Sequence, residues 1–115
     1  MPRLDFSYNW NKKLTANRYF TTIRRREFLV PGDAVDIYLD GKKIMKAMVI
    51  KKQEIKLWQL RTKEYICYLD TGYSAKETIE ILKKMHGTNS ENTTFYVYLL
   101  ECVVRYDEKE EYRDE

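Results

Sequence analysis

The sequence has 115 residues, of which 43% are hydrophobic, and its formal net charge is +3 at pH 7, so its length fits one domain with a modest core. One histidine and two distant cysteines, Cys67 and Cys102, provide no zinc site, and we expect no metal or other cofactor. No apolar run is long enough to span a membrane and the first residues lack a signal-peptide core, so we expect a cytoplasmic protein without membrane contact.

The first half of the chain predicts mainly β-strands. Residues 5–10 alternate aromatic and polar side chains, which indicates a half-buried strand, and a short basic turn or helical segment follows. Residues 19–24 predict a β-branched strand. After a Pro-Gly turn, residues 34–39 and 44–50 predict a hairpin that is joined at an Asp-Gly pair. The second hairpin strand either continues or bends away after residue 50.

The second half of the chain predicts two helices and a long strand. Apolar residues recur at helical intervals over residues 57–69. Ser74 and Glu77 form a capping box that begins a second helix, and Gly87 is placed to end it. Residues 95–104 are apolar on both faces, which predicts a central strand of the sheet.

This order of elements predicts an α+β fold in which a mostly antiparallel, barrel-like sheet carries helices on one side. We expect one domain over residues 1–104 and an acidic tail over residues 105–115. Trp10 and Trp58 are expected in the core. His86, near a helix end, is expected to cap the helix or to compensate its dipole.

Positive charge is concentrated in the first half of the chain. Residues 1–63 contain fifteen Lys and Arg against six Asp and Glu, whereas residues 64–115 contain six against twelve. Nucleic acid is the leading class of partner for such a basic face, although a solvated mixed surface produces the same composition. The candidate phosphate contacts are Lys12, Lys13, Arg18, Arg24, Arg25 and Arg26.

The strand over residues 19–24 carries the most specific side chains. Strand alternation places Thr22 and Arg24 on one face and Tyr19 and Thr21 on the other. Threonine hydroxyls and a guanidinium can hydrogen-bond a ligand. A carboxylate and a tyrosine beside the glycine that separates the two helices are candidates for the wall of a cleft. The candidate ligand-binding residues are Thr21, Thr22, Arg24, Asp70 and Tyr73.

Three parts of the sequence together resemble the ASCH family. They are Thr21-Thr22-Ile23-Arg24 followed by Pro31-Gly32-Asp33, then Tyr65-Ile66-Cys67-Tyr68-Leu69-Asp70 before a capped helix, and finally Phe95-Tyr96-Val97-Tyr98. The resemblance covers roughly residues 5–104. It implies a PUA-like β-barrel with two or three helices on one side, and a cleft that meets RNA or a modified nucleoside.

One branch of the ASCH family is similar to small amidohydrolases that deacetylate N4-acetylcytidine. The resemblance places the nucleophilic threonine of that branch at Thr22, its lysine at Tyr19 and its acidic residue near Asp70. Tyrosine, with a reference pKa of about 10, is a poor base at neutral pH. Alternation also puts Tyr19 and Thr22 on opposite faces of the strand, so whether the chain is an enzyme stays open.

The sequence therefore supports three functional hypotheses. The first is an ASCH-like module that binds RNA or a nucleotide-derived ligand in a basic cleft. The second is a divergent amidohydrolase that acts on an N4-acylated cytidine-type nucleoside. The third is a protein-interaction module of a phage or mobile element, whose acidic tail and exposed tyrosines contact a protein partner.

Overall fold

The computed structural model describes residues 2–106, and these residues contain one five-stranded sheet. Its strands are β1 (Arg3–Phe6), β2 (Tyr19–Arg24), β3 (Ala34–Leu39), β4 (Lys42–Lys56) and β5 (Thr94–Arg105). In space they follow the order β1-β3-β4-β5-β2, and all neighbours are antiparallel except β1 and β3. The sheet curls into a half-barrel, which confirms the predicted α+β, mostly antiparallel PUA-like architecture.

The helices of the described residues are short and lie between the strands. They are α1 (Lys13–Ala16), α2 (Glu64–Asp70) and α3 (Ala75–His86), with two 3-10 helices at Trp10–Lys12 and Leu57–Thr62. The predicted cap of α3 is present, since Ser74 Oγ accepts a hydrogen bond from the Glu77 amide at 3.2 Å. None of these helices is long and apolar enough to cross a membrane.

The helix predicted over residues 57–69 is two separate segments. They meet at Lys63, whose backbone (φ −131°, ψ 50°) lies outside the helical region. The first segment is tied to the loop before β5, because the amides of Leu57 and Trp58 each donate to a carbonyl of that loop at 3.0 Å. This arrangement leaves the Trp58 side chain exposed, so its prediction as a core residue was wrong.

The first strand is also shorter than the sequence pattern indicated. β1 ends at Phe6, whereas Tyr8 and Trp10 lie beyond it, and Trp10 begins a 3-10 helix. Tyr8 is exposed and Trp10 is partly buried, so the aromatic side chains of this segment are divided between the core and the surface. At the other end of the chain, residues 107–115 of the predicted acidic tail lie outside the described residues.

Two apolar clusters occupy the two faces of the sheet. Alternation along β2 and β5 directs Phe20 and Tyr98 into the interior of the curled sheet and directs Ile23 and Val97 toward α2 and α3. The helices therefore cover the outer face, as predicted, while the inner cluster fills the half-barrel. A cavity opens where the amino-terminal segment, β2 and α3 meet.

Glu91, in the loop between α3 and β5, pairs with two cationic side chains. Its carboxylate accepts hydrogen bonds from the Arg61 guanidinium, one of them at 2.9 Å, and from Lys83 Nζ at 3.0 Å. These bonds lower the pKa of Glu91 to about 2, from an ordinary value of 4.5. These bonds fasten the loop to the 3-10 helix Leu57–Thr62 and to the last turns of α3.

We predict that Glu91→Gln lowers the melting temperature near pH 7 and that this difference disappears in acid. Because the folded-state pKa lies below the unfolded one, the carboxylate stabilises the fold fully above about pH 4.5 and stops doing so as the pH falls to about 2. Thermal unfolding of both proteins between pH 7 and pH 2 measures this. Glu54→Gln is the control, and an equal effect of pH on all three proteins would contradict the prediction.

Candidate functional site

A buried ion pair joins two elements that are far apart in sequence. Lys13, the first residue of α1, donates from Nζ to Oδ1 of Asp70, the last residue of α2. The two residues are only 1% and 5% exposed, respectively. Burial lowers the pKa of Lys13 and raises the pKa of Asp70, despite the attraction between the two groups. Each group is thus shifted toward its uncharged form.

The backbone before α1 is what turns Lys13 inward. Asn11 and Lys12 both have left-handed conformations, with φ values of 57° and 55°, which side chains other than glycine adopt at a cost. Asn11 Nδ2 donates to the Tyr68 carbonyl at 3.0 Å and so holds this turn against α2. Gly72 permits the contact, because its φ is +83° and a Cβ there would lie 3.2 Å from the Asn11 side chain.

Strand β2 adds a hydroxyl and a guanidinium to the same place. Arg24 Nε donates to Thr22 Oγ1 at 2.9 Å, and Arg24 Nη2 donates to the Asp5 carbonyl at 3.1 Å. The Arg24 guanidinium also lies 4.7 Å from the centre of the Phe6 ring. Its charge adds to the larger effect of burial in lowering the pKa of Lys13.

These residues enclose a cavity of about 110 Å³. Its wall is formed by the end of β1 and the segment after it, by α1 and β2, by the end of α2 and by α3. The apolar part of the wall includes Phe6, Trp10 and Leu82. The polar side chains in the wall are Asp5, Ser7, Tyr8, Lys13, Thr22, Arg24, Asp70, Thr71 and His86. The cavity therefore presents donors, acceptors and charge within a small and partly enclosed volume.

His86 stands at the edge of this cavity, at the end of α3. Its ring packs edge-on against Phe95, with 5.2 Å between ring centres. Burial lowers the pKa of His86, and the charges of Arg25 and Arg24 lower it further, so the imidazole is neutral at pH 7.

A second concave surface, the arginine groove, adjoins the cavity. It has a volume of about 430 Å³ and shares Asp5, Arg24 and His86 with the cavity wall. Its lining consists of Arg3, Leu4, Asp5, Arg24, Arg25, Arg26, Phe28 and His86. Arg25 and Arg26 are exposed, and among the described residues no carboxylate pairs with either of them.

Tyr98 fixes the chain segment that carries these arginines. Its side chain is fully buried, and its hydroxyl donates to the Arg26 carbonyl at 3.1 Å and accepts from the Phe28 amide at 3.2 Å. The Phe28 ring packs edge-on against Tyr98, with 6.0 Å between ring centres. A segment without regular secondary structure is thereby held in one position beside the cavity.

The remaining predicted site residues lie outside the cavity. Tyr19 and Thr21 are on the outer face of β2, where Tyr19 is exposed and Thr21 is covered by α2. Lys12 and Arg18 are exposed, and Arg18 pairs with a carboxylate of β5. Tyr73 packs against Trp10 at the rim. Of the predicted set, Lys13, Thr22, Arg24 and Asp70 are brought together in the cavity, with Arg25 and Arg26 next to it.

His86 and Trp10 both line the cavity, although the sequence does not predict a ligand-binding role for either. Trp10 was interpreted as part of a half-buried strand, and nothing local to it indicates that the strand ends at Phe6. His86, at the end of α3, lines the arginine groove beside Arg24 and Arg25, although these residues are far apart in the sequence. Within residues 2–106, no group of three His, Cys, Asp or Glu side chains is placed to hold a metal ion.

Comparison with known proteins identifies the fold but not a sequence family. No family model matches the sequence, and the curated proteins give no significant match. Among solved structures, protein EF3133 from Enterococcus faecalis, described with the family model DUF984, has a TM-score of 0.71 at 15% identity, over 96% of this chain and 81% of that one. A ZmASCH mutant protein from Zymomonas mobilis has a TM-score of 0.59 at 12% identity, over 100% and 84% of the two chains.

The chain has an ASCH-like fold. The hypothetical protein PH0355 is also similar, with a TM-score of 0.56 at 11% identity over 88% of this chain and 99% of that one. At such identities the comparison concerns the fold alone. The roles of individual side chains therefore rest on the contacts of this ASCH-like chain itself.

We predict that breaking the Lys13–Asp70 pair from one side destabilises the protein by about 3 kcal/mol, because the partner is left buried without compensation. The variants are Lys13→Met and Asp70→Asn, each measured by urea unfolding. The double variant should lose clearly less stability than the sum of the two single losses, since it leaves neither charge behind. Additive losses would show that the two side chains are not coupled.

Proposed function

We propose that this ASCH-like module binds RNA or a nucleotide, with one base in the cavity and phosphate in the arginine groove. The observation that carries the proposal is the shared wall of the two concavities. Asp5, Arg24 and His86 belong to both, so one ligand can occupy the charged interior and the cationic surface together. Thr22, Asp70 and Lys13 contact the base in this proposal, and Arg25 and Arg26 contact phosphate.

The size of the cavity limits what can enter it. At about 110 Å³ it is well below the range of about 300–1,000 Å³ that is usual for pockets that enclose a drug-sized ligand. A single small ring fits such a space, while the sugar and phosphate of a nucleotide remain outside. Lys12 and Arg18 lie beyond both concavities, so they contact only a ligand that is longer than one nucleotide.

The chemistry of the cavity wall suits a nucleobase. A base presents both donors and acceptors along its edge, and recognition of unpaired bases relies on hydrogen bonds to that edge. The Thr22 hydroxyl donates or accepts, Lys13 donates, and Asp70 accepts, or donates when it is protonated. Phe6 and Trp10 supply apolar ring surface in the same wall.

The arginine groove supplies the complementary contact to phosphate. Guanidinium groups bind phosphate oxygens through two parallel hydrogen bonds, and they remain charged at every physiological pH. Arg25 and Arg26 have no carboxylate partner among the described residues, so a phosphate does not have to displace one. Such contacts position a nucleic acid without reading its sequence.

We predict that Arg25→Ala with Arg26→Ala weakens the binding of a short single-stranded RNA and makes it less dependent on salt. Each lost phosphate contact on a single strand reduces the slope of log K against log salt by about 0.7, so the pair should reduce it by about 1.4. Fluorescence anisotropy at several salt concentrations measures both the affinity and the slope.

A charge-matched variant separates this effect from a change in net charge. Lys51→Gln with Lys63→Gln removes two cations, one in a groove on the outer face of the sheet and one at the start of α2. This control should bind RNA with a nearly unchanged slope. If the arginine variant and the control behave alike, the arginine groove does not hold phosphate.

The ion pair also favours a second candidate function, the hydrolysis of an N4-acylated cytidine-type nucleoside. Thr22 would attack the acyl carbon while Lys13 removes its hydroxyl proton, and Asp70 would protonate the departing amine before water cleaves the acyl-threonine ester. Burial shifts Lys13 toward the free amine and Asp70 toward the acid, which are the forms these roles need. Arg24, 2.9 Å from Thr22 Oγ1, would stabilise the developing alkoxide.

For this second function we predict that Lys13, and not Tyr19, is the base. Turnover of N4-acetylcytidine, followed by chromatography, should fall at least about 100-fold in Lys13→Gln and in Thr22→Ala. Tyr19→Phe should retain turnover, because the Tyr19 side chain is on the outer face of β2. Loss of turnover in Tyr19→Phe would show that Tyr19 is the base. Absence of turnover in the unaltered protein would exclude the hydrolase function and leave ligand binding as the proposed function.

A further inference from the structure

Three aromatic side chains form an exposed border on the side of the cavity that the arginine groove does not reach. Tyr8 and Trp10 meet edge to face with 4.9 Å between ring centres, and Trp10 and Tyr73 do so at 6.2 Å. Tyr8 is 61% exposed and Tyr73 is 44% exposed, so their rings are open to a ligand. We refer to Tyr8, Trp10 and Tyr73 as the aromatic rim.

The aromatic rim is continuous with the cavity. Trp10 and Ile81 line the cavity and also line a shallow groove whose other residues are Tyr73, Lys76, Glu77 and Glu80. This groove shares no residue with the arginine groove. Trp10 therefore separates the cavity from the open aromatic surface.

Helix α3 sets the distance between the two outer surfaces. Glu77 borders the aromatic rim near the beginning of the helix, and His86 borders the arginine groove at its end. Nine residues of α-helix span about 13 Å, at 1.5 Å per residue. A nucleotide with its base in the cavity and its phosphate in the arginine groove therefore leaves the aromatic rim, toward the other end of this helix, uncovered.

We propose that the aromatic rim stacks a second base, next to the base held in the cavity, so that the ligand is a single-stranded oligonucleotide of at least two nucleotides. This inference rests on the proposed function and restricts its ligand class. Aromatic side chains stack on any unpaired base, and a duplex cannot present one base to a cavity and the face of its neighbour to a tyrosine.

The charges beside the aromatic rim add a preference among bases. Glu77 and Glu80 carry carboxylates that accept hydrogen bonds and repel phosphate, with Lys76 as the one cation among the residues of this groove. Cytosine, adenine and guanine each offer an exocyclic amino group to a carboxylate, whereas uracil has none. The second base is therefore one with an amino group, and the phosphates lie on the arginine side.

The test compares a mononucleotide, a dinucleotide and a tetranucleotide of cytidine by calorimetry. Trp10 fluorescence in a Trp58→Phe background reports stacking directly, because Trp58 lines neither the cavity nor either groove and the chain has two tryptophans. We expect the dinucleotide to bind about tenfold more tightly than the mononucleotide. Tyr73→Ala should remove this gain and leave the mononucleotide affinity unchanged.

Matched variants keep the result interpretable. Tyr65→Ala removes a tyrosine that is 63% exposed on the outer side of α2, and it should preserve the gain. Tyr73→Leu retains apolar bulk without the aromatic face, so it should behave like Tyr73→Ala if stacking is responsible. Circular dichroism confirms that each variant is folded, and tetrauridine should bind more weakly than tetracytidine.

The outcomes separate this inference from the proposed function. Equal affinity for the mononucleotide and the dinucleotide, or a gain that survives in Tyr73→Ala, overturns the stacking role while the cavity and arginine groove still bind a nucleotide. Quenching of Trp10 by a polyamine but not by oligonucleotides would make the aromatic rim a site for organic cations and also overturn it. Absence of binding to every nucleotide and RNA overturns both proposals.

Discussion

The candidate site depends on the burial of one ion pair. Lys13 and Asp70 connect α1 to α2, and neither element has enough length to position itself by its own hydrogen bonds. Burying two charges costs more than their attraction recovers in many proteins, and apolar pairs of similar size often stabilise a fold as well. The pair is therefore better explained by the position and chemistry that it gives to the cavity than by stability.

Strand β2 carries different side chains on its two faces. Thr22 and Arg24 point to the cavity, while Thr21 and Ile23 face α2 and α3. Because the side-chain period is two residues, a shift of one residue in the pairing of β2 with β5 would exchange these sets. The register that pairs Thr22 with Tyr98 is thus a condition for the site as well as for the core.

Local patterns predicted the strands, the α3 cap and the side-chain alternation along β2. The resemblance grouped Thr22, Arg24 and Asp70 in one cleft with Thr21 and Tyr73, and the first three line the cavity whereas the other two do not. Local patterns could not predict that Lys13 is buried, because a lysine in a basic, polar segment is usually solvated and its partner lies 57 residues away. The end of β1 at Phe6 was missed for a related reason, since alternation continued through Trp10 although the pairing with β3 did not.

The amine in the cavity comes from a different part of the chain than the resemblance implied. The resemblance put a tyrosine where the amidohydrolase branch has its lysine, and that side chain lies on the outer face of β2. The amine instead reaches the cavity from α1, through two residues with positive φ that reverse the chain. An ammonium or amine acts through its distance from Thr22 and Asp70, so any element that ends at the cavity can supply it. The left-handed turn at Asn11 and Lys12 allows α1 to supply the amine of Lys13 to the cavity.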